Sequence, residues 1–381
     1  MLDAPLFSPS HLFAQRRASV VEIFLAEFAS QKNVLYPVRE ENPPLLRGTV
    51  QKATEKRIGR WIAQERVAMN TSSRVRMQER FNQLWGSRTR LPSEVFYLLP
   101  SDWCEQERLY FEHYALKVAL GRLFFAPLSQ PQSILDVGCG PSCWAYDLCR
   151  LFPHASVVGF DINAPSLLHL PSNYHFVQGS LLQPLPFADD SFEYVHQRLM
   201  WSSIPARYWR SVLAELVRVT VPGGYIELGE IAAWLENMGP GTAQLSSWLI
   251  ETEQRCGIDQ SLMLDLPGLL DLMGAKTFFQ HVFWLPVGKA YGHRGRLMEQ
   301  SANAFFASFA SIAQEHLALS REEYQFAWNL MRGEWAQRCI QLPFVITLAQ
   351  KPVRGLSVSH LSTPIATDSL RTASRVLPCF P

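Results

Sequence analysis

The chain has 381 residues, of which 48% are hydrophobic, and a formal net charge of +1 at pH 7. This length supports a large core, the balanced charge suggests neither a nucleic acid nor an acidic partner, and no apolar run is long enough to span a membrane. The odd count of seven cysteines, with an N-terminus that lacks a signal-peptide pattern, leads us to expect a reducing, cytoplasmic location.

The first predicted unit is an N-terminal helical, partly basic extension over residues 1–95. Within it, residues 47–90 carry eleven Lys and Arg against three Glu, beside a ragged apolar stripe. Such an excess of cations is typical of a surface for an anionic partner. It also fits the solvated face of helices packed on the main domain, which is the interpretation that we favour.

The main domain is predicted over residues 96–352. It begins with a helix that runs from Ser101 and Asp102 to Gly121. Over a core at 122–231, short apolar runs then alternate with helical stretches, which predicts a parallel, doubly wound α/β sheet. The predicted strands are SILDV, SVVGFDI, YHFVQGS, FEYVHQ and GGYIELGEI, and the predicted helices between them are CWAYDLCRLF and RYWRSVLAELVRVT.

The alternation of strands and helices stops after the core. Residues 232–335 are predicted to be mostly helical and rich in aromatic side chains, as a lid or substrate region. A last strand is predicted at about 343–350, and the tail over 353–381 is expected to be loosely ordered.

The first strand ends in a carboxylate and a turn with two glycines, Asp136, Gly138 and Gly140. Glycines at this point let the backbone turn sharply and approach a ligand. A dinucleotide fingerprint needs a third glycine, and Cys143 stands there instead. An acidic residue just before the turn suits a cationic ligand better than a phosphate.

A second carboxylate, Asp161, ends the next strand about twenty residues after the turn, where a carboxylate accepts hydrogen bonds from a ribose diol. Together the two strand ends favour a nucleoside that carries a cation. S-Adenosylmethionine has both features. No metal site is predicted, because Cys139, Cys143 and Cys149 lack a Cys-x-x-Cys spacing or a histidine partner.

Residues 131–230 resemble a class I S-adenosylmethionine-dependent methyltransferase through ILDVGCG, VVGFDI, PLPFADDSFEYVH and LVRVTVPGGYIEL. The resemblance implies a Rossmann-like, seven-stranded sheet with a C-terminal antiparallel hairpin. Ser180 stands where the family often has an aspartate that accepts from the adenine amino group. The resemblance implies these cofactor contacts: Asp136, Gly138, Cys139 and Gly140 at the methionine end, Asp161 on the ribose, Ile162, Ser180 and Leu181 around the adenine, and His196 and Gln197 beyond strand four.

The resemblance extends to LaeA-like methyltransferases of fungal secondary metabolism over about residues 96–352, through YLLPSDWCEQERLYFEHYALKVALG, LPVGKAYGHRGRLMEQ and EEYQFAWNLMRGEW. It implies that the lead-in helix folds over the cofactor. Tyr97 and Arg108 then become candidate contacts to the cofactor's carboxylate. Equally, Tyr97 fits a core residue and Arg108 a surface ion pair.

Methyl transfer is an in-line displacement, for which alignment and desolvation matter most. No catalytic residue is assigned, but a hydroxyl acceptor would benefit from a general base. His196 and Glu230 are the candidates, and His196 equally fits a wall of the cofactor pocket. Arg198 and Trp201 follow strand four and are expected to border the acceptor.

Three functions remain open within this family. The chain methylates a small, largely apolar, natural-product-like molecule, acts on a protein or nucleic acid through residues 47–90, or is a weakly active regulator. The aromatic insertion favours the first. A nicotinamide dehydrogenase is disfavoured by the missing third glycine. The acceptor atom and the oligomeric state stay open, with a homodimer as one option.

Overall fold

The computed structural model describes residues 98–99, 103–165, 170–232, 235 and 237–353. The predicted N-terminal extension, its basic segment 47–90, Tyr97 and nearly all of the predicted tail lie outside the described residues. No helix in the described part of the chain combines the length and the hydropathy needed to cross a bilayer.

Seven helices and seven strands make up the described part, together with two 3₁₀ turns at Ala206–Tyr208 and Lys289–Tyr291. The helices are α1 (Trp103–Leu120), α2 (Cys143–Leu151), α3 (Trp209–Val219), α4 (Pro240–Arg255), α5 (Leu262–Leu272), α6 (Gly292–Leu317) and α7 (Arg321–Trp335). The strands are β1 (Ser133–Val137), β2 (Ser156–Asp161), β3 (Tyr174–Gln178), β4 (Phe192–Arg198), β5 (Thr220–Ile231), β6 (Lys276–Val287) and β7 (Ile340–Gln350).

All seven strands form one sheet in the order β3-β2-β1-β4-β5-β7-β6. Strands β1 to β5 pair in parallel, and β7 runs antiparallel to both β5 and β6. The predicted Rossmann-like, seven-stranded sheet with an antiparallel C-terminal hairpin is therefore confirmed. The order reverses between β1 and β4, where open α/β sheets bind their ligands.

Residues 232–335 are mostly helical, but they also contain the edge strand β6 over residues 276–287, which the sequence analysis did not locate. A register shift between Thr277 and Phe279 breaks the two-residue alternation of this strand. The strand also exposes Phe278 and Trp284. An edge strand with a bulge loses the in–out pattern by which a strand is recognised in a sequence.

Strand alternation sends neighbouring side chains of β4 to opposite faces of the sheet. On one face, Val195 joins a buried cluster with Leu213 of α3 and Leu266 of α5. On the other face, the His196 ring stacks on Trp144 of α2. This second face carries the candidate site, and α1 crosses it while packing against α2 and α6.

Two buried glutamates accept hydrogen bonds from backbone N–H groups that have no partner within a helix or strand. Glu334 of α7 caps the N-terminus of α4 by accepting from the backbone N–H groups of Gly241 and Thr242 at 2.7 and 2.9 Å. Glu227 of β5 accepts from the N–H groups of Phe125 and Ala126, each at 2.8 Å. This second contact fixes the segment that leads from α1 to β1.

Candidate functional site

The candidate site is a cleft, partly open to solvent, between α1 and the carboxyl ends of β1 to β4. Its lining includes Asp136, the glycine turn, Asp161 and His196. No lining residue comes from beyond Ser203, so the predicted lid over 232–335 does not line this cleft. The lead-in helix α1 covers it instead.

The glycine turn adopts the conformation for which glycine is suited. Gly138 has φ 69° and Gly140 has φ 50°. The N–H groups of Gly138 and Cys139 donate to the carbonyl of Phe160 at 2.8 and 3.2 Å, which ties the turn to β2. The Met200 side chain lies where a side chain at position 138 would begin, and the positive φ is the reason that the turn favours glycine.

A buried polar group supports the turn from behind. Ser142, at φ 63°, shares a 2.5 Å hydrogen bond with the hydroxyl of Tyr174 on β3. That hydroxyl occupies the space where Gly159 would carry a side chain. Gly159 on β2 thus leaves space for the Tyr174 hydroxyl, which supports the glycine turn through Ser142.

Asp161 ends β2 with both carboxylate oxygens already oriented. Oδ2 accepts from the N–H of Gly140 and Oδ1 accepts from the N–H of Asn163, each at 2.9 Å. Burial raises the pKa of this carboxyl group, and these backbone donors act in the opposite direction. Each oxygen keeps a lone pair, so the carboxylate can also accept two hydroxyl groups from the cleft.

Ile162, Ser180 and Leu181 line the same cleft as Asp161, and their predicted role around the adenine stays a prediction. The Ser180 hydroxyl accepts from the N–H of Leu182 at 3.2 Å and so shapes its own turn. A hydroxyl oxygen has two lone pairs, so Ser180 remains available as an acceptor in this part of the cleft.

His196 is held between a carboxylate and an aromatic ring. Its Nδ1–H donates to Oδ1 of Asp136 at 2.9 Å on the neighbouring strand β1. Its ring lies 3.6 Å from the Trp144 ring at an angle of 5°. Its Nε2 makes no hydrogen bond to the described residues, and the side chain lines the cleft. The carboxylate fixes the tautomer, so Nε2 is left as a proton acceptor.

Helix α1 contributes lining residues that the sequence analysis missed. Gln106, Leu109 and His113 recur at the spacing of one helical face and all line the cleft. The Gln106 side chain is 6% exposed, and its Oε1 has no hydrogen-bond partner among the described residues. The spacing alone carries no signal of a ligand, because the same pattern describes any helix that packs on a sheet.

The two arginines have places other than those expected. Arg108 does not line the cleft, because its guanidinium forms two hydrogen bonds with Glu105, at 2.6 and 2.8 Å, and an ion pair with Glu112 at 3.0 Å. Arg198 does line the cleft. Its Nη2 donates to Nδ1 of His113 at 3.0 Å. The cation presented to a ligand is therefore Arg198.

Gln197, Trp201 and Glu230 lie away from the cleft. Gln197 follows His196 on β4 and therefore points to the opposite face. There its Nε2 lies 3.4 Å from Glu230, which also accepts from the N–H of Trp201 at 2.9 Å. Trp201 is part of the buried core and contacts Phe305 of α6. These three residues support the turn after β4 from the face of the sheet opposite the cleft.

The turn after β4 has a strained backbone at Leu199, and this conformation positions the Met200 side chain in the cleft. Leu199 adopts φ 60°, a left-handed conformation that costs a side chain bearing a Cβ about 1–2 kcal/mol. The conformation is held by the N–H of Leu199, which donates to the carbonyl of Gly229 at 2.9 Å. As a result the Met200 side chain lies against Gly138.

We expect Glu230→Gln to stabilise the protein at alkaline pH. Burial raises the pKa of Glu230 to about 8. Between about pH 4.5 and 8 the folded chain holds a proton that the unfolded chain has released, so stability falls as the pH rises through this range. Glutamine keeps an oxygen for the Trp201 N–H and carries no charge. Urea unfolding should show a gain of about 2–4 kcal/mol at pH 9 and little change at pH 5. Equal destabilisation at both pH values would contradict this, and exposed Glu251→Gln serves as the control.

We expect His113→Gln to flatten the stability profile at acidic pH. Burial lowers the pKa of His113 to about 4, and Arg198 adds to this. Between about pH 6.5 and 4 the unfolded chain binds a proton that the folded chain does not, so stability falls as the pH falls, by up to about 3 kcal/mol. The variant should lack this slope in urea unfolding, whereas His175→Gln on the exposed side of β3 should retain it. An unchanged slope in the His113 variant would refute the assignment.

Within the described residues no three His, Cys, Asp or Glu side chains converge as in a metal site. Cys139, Cys143 and Cys149 are buried free thiols. Burial is the main cause that raises the pKa of each thiol, so at neutral pH they behave as small apolar side chains.

Comparison with known proteins gives one family and several relatives. Residues 134–224 match the family described as Methyltransferase domain. The chain is 32% identical over 185 residues to the methyltransferase str3 of Strobilurus tenacellus. It is 35% identical over 153 residues to the N-methyltransferase verN of Clonostachys rogersoniana, and 32% identical over 138 residues to the secondary metabolism regulator laeA of Monascus pilosus.

These matches span part of each protein. They cover 47%, 38% and 35% of this chain, and 66%, 53% and 37% of the three relatives in the same order. The family match from 134 to 224 contains the glycine turn, Asp161 and β4, which are the strand ends that build the cleft.

Proposed function

We propose that this chain is a LaeA-like class I methyltransferase and that it transfers the methyl group of S-adenosylmethionine to a small organic acceptor. The observation that carries the proposal is the paired strand ends. The carboxylate of Asp161 is fixed by the N–H of Gly140, from the glycine turn itself. One cleft therefore offers both an acceptor for a ribose diol and a backbone that closely approaches the ligand.

The residues present fit an adenosine that carries a sulfonium and an amino-acid tail. Asp161 would hold the ribose, while Ile162 and Leu181 would enclose the adenine. Asp136 places a carboxylate at the other end of the turn, where a cation is favoured over a phosphate. The turn also lacks the third glycine of a pyrophosphate site, because that position is Cys143.

The bound cofactor supplies an already activated methyl group. What the chain must supply is alignment and exclusion of water. Helix α1 covers the cleft, with Leu109 on its inner face and Met200 opposite on the turn after β4. The strained Leu199 keeps Met200 in place. With a cofactor bound, these apolar groups would help to exclude water from the space beside the glycine turn.

His196 is the group best placed to take a proton from an acceptor. Its Nδ1–H is bound to Asp136, which leaves the Nε2 lone pair available on the cleft side. The stacked Trp144 fixes the plane of the ring. A hydroxyl or protonated amine would lose its proton to Nε2, and Asp136 would stabilise the resulting imidazolium. Glu230 cannot take this role, because it lies on the other face of the sheet.

The acceptor that we propose is small and largely apolar. Two relatives are named as methyltransferases, one of them acting on nitrogen, and another is named for secondary metabolism. The cleft is partly covered by α1, and its lining mixes charged groups with apolar side chains such as Leu109, Ile162 and Leu181. A concave site of this kind fits a small molecule better than a nucleic acid.

A second candidate is a methyltransferase or weakly active regulator that acts on a protein or nucleic acid. Its support is that several relatives are named secondary metabolism regulators. The cation-rich segment 47–90 would supply the docking surface for such a partner.

One labelling experiment separates the two candidates. The full chain is incubated with S-adenosylmethionine bearing a tritiated methyl group and with separate small-molecule, protein and nucleic-acid fractions of a fungal culture. Label extracted into organic solvent supports the first candidate, and label precipitated with protein or nucleic acid supports the second. Calorimetric titration with S-adenosylmethionine and NADH runs beside it. Binding of NADH alone would overturn the assignment to methyl transfer.

A further inference from the structure

Arg198 is a cation without a carboxylate partner in the described part of the chain. It ends β4 on the same face as His196 and lines the cleft. No described Asp or Glu oxygen lies within 4.0 Å of its guanidinium, whereas Arg108 is held by two carboxylates. Burial is the main cause that lowers the pKa of Arg198, and the charges of Asp136 and Glu112 oppose it without a direct ion pair among the described residues, so the guanidinium carries a desolvation cost. A guanidinium placed in this way is suited to an anion from outside the chain.

A chain of hydrogen bonds aims this guanidinium. A guanidinium only donates, so Nδ1 of His113 is the acceptor of the 3.0 Å bond from Arg198. His113 Nε2–H then donates to Oδ2 of Asp147 at 3.0 Å. Asp147 is also paired with Lys117. One N–H of Arg198 is thus used for positioning, and its other donors stay available for a planar, bidentate contact with a carboxylate.

The same cleft holds oxygen acceptors that need a donor. Gln106 Oε1 is buried without a partner among the described residues. Asp136 uses Oδ1 for His196, and its charge is the first among the charges that act on Arg198. Asp136 and Arg198 nevertheless form no direct ion pair. A cleft with a separated carboxylate and guanidinium is complementary to a zwitterion, whose ammonium and carboxylate groups complete both.

The geometry points to Arg198 as the residue that binds the α-carboxylate of the cofactor's amino-acid tail, with Asp136 and Gln106 as acceptors for its ammonium group. This assignment rests on the proposed function and moves Arg198 from the acceptor to the cofactor. His113 is the positioning residue for it. The same chemistry on the acceptor, an acidic group, is the alternative that the experiment must separate.

The experiment uses a pair of ligands that differ only in the tail. S-Adenosylhomocysteine has the amino-acid group, and 5′-methylthioadenosine has the same nucleoside and thioether without it. Both are titrated calorimetrically into the wild-type full chain, Arg198→Gln and Arg198→Lys. The matched control is Arg210→Gln, at an exposed position of α3. Circular dichroism of each variant checks that it is folded.

We expect Arg198→Gln to weaken S-adenosylhomocysteine about 10- to 100-fold and methylthioadenosine less than about twofold. The loss of affinity in Arg198→Lys should lie between those of the wild type and Arg198→Gln, because lysine keeps the positive charge but not the planar, bidentate guanidinium. Equal losses for both ligands would mean that Arg198 only shapes the cleft. No loss for either would assign it to an acidic acceptor or to structure. Each of these two results overturns the assignment while leaving the methyltransferase proposal intact. A wild-type chain that binds neither ligand overturns the proposed function itself.

Discussion

Asp161→Ala should weaken the binding of S-adenosylmethionine at least about 100-fold. The carboxylate would accept two ribose hydroxyls, and hydrogen bonds to a charged group contribute about 1.5–3 kcal/mol each. The variant also removes the acceptor of the Gly140 and Asn163 N–H groups, which orient the turn. Calorimetric titration of the wild-type and variant chains measures the change directly.

Two further measurements sharpen this test. Asp161→Asn keeps one oxygen acceptor and should lose less affinity than the alanine variant. Asp189→Ala removes an aspartate whose side chain is 71% exposed and should bind as the wild type does. Because burial raises the pKa of Asp161, affinity should begin to fall at a higher pH than an ordinary aspartate would give. Wild-type affinity in Asp161→Ala would sink the assignment of the ribose site.

Glu227→Ala should cause the largest loss of stability, about 3–5 kcal/mol in urea unfolding. Glu227 is 2% exposed. Its Oε2 accepts from the N–H groups of Phe125 and Ala126 and from the hydroxyl of Tyr194, at 2.8, 2.8 and 2.9 Å. Alanine would leave three buried donors without an acceptor, in a place that water does not reach.

The comparison variants for this prediction are Glu227→Gln and Glu193→Ala. Glutamine keeps one oxygen, so its loss should be about half that of alanine. Glu193 accepts from a single N–H, that of Gln132, at an exposed position, and its removal should cost less than about 1 kcal/mol. Because Glu227 fixes the segment between α1 and β1, its alanine variant should also bind S-adenosylhomocysteine more weakly. A loss no greater than that of Glu193→Ala would show that the three donors find other partners.

The glycine turn and the strand-end carboxylate Asp161 were the parts of the site that the sequence predicted best. Both signals are local, because a turn after a buried strand needs residues of particular φ at fixed positions. Gly138 and Gly140 show these angles. The parallel strands β1 and β2 pair Val137 with Phe160, so their carboxyl ends, and with them Asp136 and Asp161, fall at one edge.

Strand β6 could not be predicted from local sequence signals in the same way. Residues 276–287 form an edge strand that pairs along nearly its whole length with β7. Its partner lies more than fifty residues away in the chain, and a long-range ladder leaves no local mark when a bulge disturbs the alternation. The sequence analysis therefore placed no strand there, and pairing with β7 revealed it.

The sequence by itself determined the doubly wound core, the glycine turn and the position of Asp161, because these depend on hydrophobic period and on turn chemistry within short segments. Only the tertiary structure decided which side chains share the cleft. His196 and Gln197 are neighbours in the chain, but the pleat sends them to opposite faces. Arg108 and Arg198 are the same residue type, but Glu105 and Glu112 hold the first in ion pairs, while the second has a neutral histidine and no carboxylate as its hydrogen-bond partner among the described residues. The partners of these side chains come from elements distant in the chain, and the packing of α1 over the sheet brings His113 to Arg198.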